Sequence, residues 1–187
     1  MTTLKIHNIE TAPEGSKTLL EQSFKANGMI PGLHGVLAGA PELLEAYQTL
    51  HKLFTQTSFN NDELTVVWQT INVEHECHYC VPAHTGIANM MKVDSSISEA
   101  LRNRTALPNE KLQALHDFTL KVVRNRGHVT QEDLDTFYEA GYGERQVLEV
   151  ILGLSQKVIS NYTNHIANTS VDAPFQKFAW SKENVEA

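Results

Sequence analysis

The chain's only two cysteines, Cys77 and Cys80, stand three residues apart, and His84 follows one helical turn later in the segment Glu74-His-Glu-Cys-His-Tyr-Cys-Val-Pro-Ala-His84. At about 100° per residue, positions 77, 80 and 84 fall within roughly 60° of one another around a helix, so the spacing predicts a single small site. A thiol reacts as its thiolate, and an unperturbed pKa of about 8.5 leaves only a few per cent ionised at neutral pH. The imidazole of His84 is the expected base, directly or through a water. A second thiol adds a further capacity. If one thiolate attacks a peroxide oxygen, the sulfenic acid it becomes can condense with its neighbour to a disulfide before it over-oxidises. Cys80 is closer to His84 and to the amides of a helix start that Pro82 permits, so it is the expected attacking thiol and Cys77 the resolving one.

Zinc is the rival chemistry. Cys77, Cys80 and His84 are three possible ligands, with His75, His78 or Glu76 a fourth, but structural zinc usually recruits a second, distant ligand pair and no further cysteine exists. Thiol redox chemistry is therefore the preferred expectation, with no metal and no cofactor. His75 and His78 share the face of the triad poorly and read as surface or supporting residues. A base is commonly oriented by an acid, and Glu63, Glu74 and Glu76 precede the motif. On an unbroken helix Glu74 and Glu63 lie roughly 60° and 40° around from Cys77, and Glu76 about 100° away. Glu63 also suits the first turn of a helix, where an acid meets the positive end of the dipole. Trp68, Met90 and Met91 read as core or subunit-interface residues.

Helical apolar periodicity runs almost throughout, with Gly and Pro between the periodic segments, which predicts an all-α protein. Helices are expected over about Ser16–Asn27 (closed by Gly28), Pro41–Gln56 and Asp62–Glu76, with a short one after Met29-Ile-Pro-Gly. A break near His75 to His78 should precede helical structure to Val93. A short helix capped by Ser96 with Glu99 should end at Asn103. Longer ones run from Leu107-Pro108 to Arg126 (closed by Gly127), from Thr130 with Asp133 to Ala140, and from Glu144 to Asn168. The tail after Pro174 is expected to be peripheral.

The 187 residues suggest one domain, large enough to bury about 70% of the surface its unfolded chain exposes. Acids outnumber Lys and Arg by 22 to 15, for a formal charge of −7, which argues against an electrostatic grip on nucleic acid or anionic lipid. No apolar stretch approaches a membrane span, and two cysteines make no disulfide framework. Met1 to Glu10 lacks the apolar region of an export signal, so the expected compartment is the cytoplasm.

With Cys77-His-Tyr-Cys80-Val-Pro-Ala-His84 preceded by a Glu-bearing helix, the chain resembles the alkylhydroperoxidase D-like branch of the carboxymuconolactone decarboxylase-like family. The resemblance is best over about residues 41–123, with 1–40 and 124–187 as helical extensions; Asn161-Tyr-Thr-Asn-His165 also resembles a peroxidase-related subgroup. It implies an all-α fold, a homotrimer or homohexamer, and thiol peroxidase activity on hydrogen peroxide or organic hydroperoxides. A dithiol protein, thioredoxin-like or lipoyl-bearing, would reset the disulfide. It further implies that Cys80 is peroxidatic, that Cys77 resolves and that His84 belongs to a proton relay completed by a glutamate. The family's relay glutamate stands twelve residues before the first cysteine, which is Thr65 in this chain, so Glu63, Glu74 or Glu76 would have to serve. Some members also carry a histidine where this chain has Tyr79. Two alternatives remain: decarboxylation of a small lactone acid, which in the family does not use a cysteine pair, and a non-catalytic redox-sensing or metal-binding oligomer.

Overall fold

A computed structural model describes residues 4–184 of the chain. The first three residues of the segment read above for an export signal lie outside the described residues. Nine α-helices follow one another, with no strand among the described residues: α1 (Glu14–Asn27), α2 (Gly32–Leu37), α3 (Pro41–Phe54), α4 (Asn61–Glu74), α5 (Cys80–Met90), α6 (Ser95–Arg102), α7 (Glu110–Arg124), α8 (Gln131–Glu139) and α9 (Glu144–Ala167). The expected all-α architecture is present.

Several helix ends follow from local chemistry. Gly28 adopts φ 72° and closes α1 with its N–H on the Phe24 carbonyl, and Pro41 opens α3 at a position where the missing N–H costs nothing. Asn60 and Glu63 form a reciprocal capping box on α4, and Thr130 and Asp133 form another on α8. Two expected ends move. The cap of α6 is Asp94, whose carboxylate accepts from the Ser96 N–H, rather than Ser96 itself. At the end of α7 the left-handed region is entered one position early, at Arg126 (φ 55°), and Gly127 (φ 82°) follows in it and closes the turn with its N–H on the Val122 carbonyl.

α4 is the axis of the molecule: every residue from Glu63 to Val73 is buried, and α5, α6, α7 and α9 pack around it. Its far end sets up the cysteines. His75 closes the helix, Glu76 turns left-handed at φ 55°, and two bonds reach back, from Glu76 N–H to the Val73 carbonyl (3.1 Å) and from Cys77 N–H to the Asn72 carbonyl (2.9 Å). This is a Schellman ending with a glutamate where glycine is usual, at a cost of about 1–2 kcal/mol for the left-handed backbone. It turns the chain sharply, so that Cys77 precedes α5 and Cys80 begins it. The expected break is present, and with it Cys77 is not on a continuous helix with His84.

The tail is not peripheral. Residues Ala173–Phe178 form a 3-10 turn against α5, where Phe175 packs so closely on Gly86 that a Cβ there would lie 2.4 Å from its ring. Arg102 donates to the carbonyls of Phe178 and Ala179, and Trp180 is buried with Val73 and Val81 and donates to the Arg102 carbonyl.

Candidate active site

Cys80 occupies the first position of α5 and borders a cavity of about 710 Å³, whereas Cys77 is fully buried behind it and does not line that space. Both thiols are free. The Cys80 N–H donates to Cys77 Sγ at 3.3 Å, and the Asn164 side-chain amide donates to Cys80 Sγ at 3.3 Å. Burial pushes the Cys80 thiol up. The hydrogen bond from Cys77, the charge of Lys157 and the amides of Asn164 and Asn161 outweigh it, and the thiol is lowered to about 6. Cys77 moves the other way, raised by burial first and then by the hydrogen bond to Cys80 and the charge on it. The two thiols are therefore unequal: one is exposed to the cavity and readily ionised, the other is held as a thiol.

Beneath them lies a ladder of buried amides. Asn161 Nδ2 donates to Asn72 Oδ1 (3.0 Å), Asn72 Nδ2 to Gln69 Oε1 (2.9 Å), and Gln69 to the Val81 carbonyl and Thr85 hydroxyl (both 3.1 Å). His75 Nδ1 meets Asn161 Oδ1 at 2.9 Å, and His78 Nε2 meets the Thr169 carbonyl at 3.0 Å, so both are half-buried supports. Such a network fixes the turn between α4 and α5 only because its members satisfy one another.

His84 also lines the cavity, but its partner is a cation: Lys157 Nζ, on α9, lies 2.7 Å from His84 Nε2. Lys157 is completely buried. Burial lowers it to about 8, against the pull of Cys80 and then Cys77. His84 is pushed well below the usual imidazole value by burial, then by Lys157 and His51. The Trp68 indole, expected as core, packs against the His84 ring (centroids 4.9 Å apart) and stacks on His51 (5.6 Å). It donates to Gln156 Oε1 at 2.7 Å, and Gln156 in turn meets His51 Nδ1 at 3.1 Å. His34 and His51 are each lowered to about 4, by burial first and then by His51 and Lys157 respectively, so both imidazoles are neutral at physiological pH. Met90, expected as core or interface, is 68% exposed at the rim of the cavity.

The carboxylates expected behind His84 are elsewhere. Glu63 closes the capping box on the Asn60 N–H and lies 3.4 Å from Lys111, at the opposite end of α4, about 16 Å of helix away. Glu74 makes a two-pronged pair with Arg124 of α7 (2.7 and 2.9 Å). Glu76 bonds Lys182 at 2.8 Å, and Thr65 is buried in α4. This corrects the expectation of a glutamate relay from these positions: α4 turns Glu63 and Glu74 away from the cavity. Among the described residues the one acid on the cavity wall is Asp172, which accepts from the Tyr79 hydroxyl (2.5 Å) and the Gly32 N–H (3.0 Å). No group of three or more His, Cys, Asp and Glu placed to hold a metal ion is present among the described residues.

Lys157 and Asn164 are the residues that sequence reasoning missed. A signal was there: Val150, Gly153, Lys157, Asn161 and Asn164 repeat at three- and four-residue intervals, so the inward face of α9 carries a lysine and two asparagines where apolar residues are the rule.

Comparison with solved structures identifies the architecture as AhpD-like. An uncharacterized peroxidase-related protein from Ralstonia eutropha JMP134 with an alkylhydroperoxidase AhpD core superposes with a TM-score of 0.81 at 17% identity, over 93% of this chain and 94% of that one. An uncharacterized peroxidase-related protein from Silicibacter sp. TM1040 gives 0.79 at 17% identity, over 93% of each chain. The debrominase Bmp8, as a cysteine-to-alanine variant in complex with 2,3,4-tribromopyrrole, gives 0.78 at 17% identity over 95% of each. No protein-family model matches the sequence, and no curated protein matches it. Among the described residues no helix is long and apolar enough to cross a membrane.

Proposed function

We propose that this protein is a thiol-dependent peroxidase that reduces organic hydroperoxides or hydrogen peroxide through a Cys77–Cys80 disulfide cycle. The observation that carries the reading is the inequality of the thiols: Cys80 faces a cavity with its thiolate favoured, and Cys77 waits behind it within hydrogen-bond reach of the Cys80 backbone. The Cys80 thiolate attacks the terminal oxygen of the peroxide, an S–O bond replaces the O–O bond, and the alkoxide takes up a proton and leaves as the alcohol. The Cys77 thiol then displaces the sulfenic oxygen, which departs as water, and a dithiol protein reduces the disulfide. A cavity of about 710 Å³ bordered by Met29, Leu33, Ile87 and Phe175 favours an organic hydroperoxide over hydrogen peroxide.

A second reading draws on the rings that border the cavity (His34, Tyr47, His51, Phe175) together with the likeness to a debrominase. The same two thiols would supply two electrons to a halogenated heteroaromatic compound: a C–H bond formed with one thiol proton replaces the carbon–halogen bond, halide leaves with the other proton, and the disulfide remains. Steady-state assays pairing hydroperoxides with thioredoxin-like and lipoyl-bearing donors, alongside a bromide-release assay on a bromopyrrole, separate the readings. Peroxide consumption without bromide release supports the first. Bromide release with inert peroxide replaces it with the second.

Leu148, Ile151, Tyr162 and Ile166 leave an exposed apolar stripe on α9, in keeping with the expected homo-oligomer. Light scattering should give a mass above that of one chain.

A further inference from the structure

The sequence points to His84 as the base for Cys80, with a glutamate behind it; the folded chain gives that imidazole a buried lysine. The groups that act on Lys157 come from several elements: His84 and Cys80 from α5, Cys77 from the preceding turn and His51 from α3, with Tyr47 of α3 and His34 of α2 lining the same cavity. None is a carboxylate, and Asp172, the one acid of the wall among the described residues, is engaged by Tyr79 and Gly32. A fully buried ammonium is tolerated where an anion faces it or where it can surrender its proton. The anion that can form beside this one is the Cys80 thiolate.

We propose that Lys157, rather than His84, holds the proton that Cys80 loses, forming a thiolate–ammonium pair in the cavity wall, and returns it to the oxygen released when the peroxide bond breaks. The first half concerns the resting protein; the second rests on the peroxidase reading. The proton moves from Cys80 Sγ to Lys157 Nζ. When the thiolate attacks, the electron pair of the O–O bond leaves on the alkoxide, which takes the proton from Nζ to give the alcohol and a neutral amine. Neutral His84 accepts a Lys157 N–H at Nε2 and so carries its own proton on Nδ1, an atom with no hydrogen-bond partner among the described residues. It acts as a positioning residue that aims the ammonium. Lysine is suited to the exchange because burial lowers it to about 8, close enough to neutrality for the proton to leave and return.

The test is the pH profile of Cys80 alkylation by iodoacetamide, followed with the thiolate ultraviolet absorbance, in the reduced full-length protein and in Lys157→Met and Lys157→Arg. The unmodified protein should keep its thiolate down to about pH 6. Lys157→Met should raise the midpoint by about two pH units, slowing alkylation at neutral pH by about tenfold. Lys157→Arg should retain the thiolate yet consume peroxide more slowly, since a guanidinium does not release its proton. An unchanged midpoint in Lys157→Met overturns the proposal and leaves the peroxidase reading standing. A shifted midpoint in a protein that consumes no peroxide sinks the peroxidase reading and leaves the pair. Because a lysine removed from a core can prevent folding, the unmodified sequence supplies an independent measurement: the Lys157 Nζ resonance, in protein labelled with nitrogen-15 lysine, should move towards the free amine once Cys80 is alkylated. A resonance indifferent to alkylation contradicts the proposal.

Discussion

The side of α4 that meets α6 and α7, with α8 packed on α7, is filled with apolar and aromatic residues, whereas the side that meets α5 and α9 buries charge and amides. On the first, Phe118, Phe137 and Tyr142 stack at 4.2 and 4.6 Å, and ionic groups stay towards the outside as pairs such as Glu74 with Arg124 and Lys121 with Asp133. On the second, Lys157, Gln156, Asn161 and Asn164 are completely buried around the thiols. Burying a polar group is costly unless it is partnered, and here nearly every one is. The contrast teaches that the two sides serve different ends. One supplies apolar burial that holds the fold; the other spends some of it to keep a lysine, an imidazole and two thiols in one place.

That contrast can be broken at either side. Cys80→Ser should abolish peroxide consumption, a loss on the order of 10⁴-fold or more, while thermal unfolding changes little. Phe137→Ala should do the reverse: it empties a stacked, fully buried ring site and should cost about 3–5 kcal/mol in chemical denaturation, with Cys80 alkylation unchanged while the protein remains folded. Mild acid reaches the second side first. Because the Cys80 thiol sits at about 6, below its ordinary value, its thiolate is present above that pH and is lost below it, so alkylation should fall about tenfold for each further pH unit. The smallest effects should come from the glutamates nearest the motif in sequence. Glu63→Gln and Glu74→Gln should each cost about 1 kcal/mol or less of stability, through a helix cap and a partly exposed ion pair, and leave peroxide turnover within about twofold. A large loss of turnover in either would put the carboxylates back in the site.

Much of the fold was legible because it rests on local rules. The helix starts at Pro41 and Thr130 and the glycine end at Gly28 are decided by one or two residues each, and they are where the sequence places them. The left-handed Glu76 and Arg126 were not legible, since glycine is the residue expected there and tertiary packing is what sustains the exceptions. The cysteine pair and His84 announce themselves by type and spacing. Their partners do not: Lys157 and Asn164 lie more than seventy positions further on, and only the docking of α9 against the turn between α4 and α5 brings them to Cys80. The tail was misjudged for the same reason. Asp172 and Phe175 have no local signature, yet one anchors Tyr79 and the other borders the cavity.

The central claim is that the two thiols have different jobs, and a single turnover tests it most directly. Reduced protein is mixed with one equivalent of an organic hydroperoxide, and the cysteine peptides and the alcohol are quantified together. One equivalent of alcohol should form together with an intramolecular Cys77–Cys80 disulfide, and in Cys77→Ser the same alcohol with the reaction arrested at the Cys80 sulfenic acid. Peroxide left unconsumed with both thiols reduced, or oxidation that begins at Cys77, would contradict it.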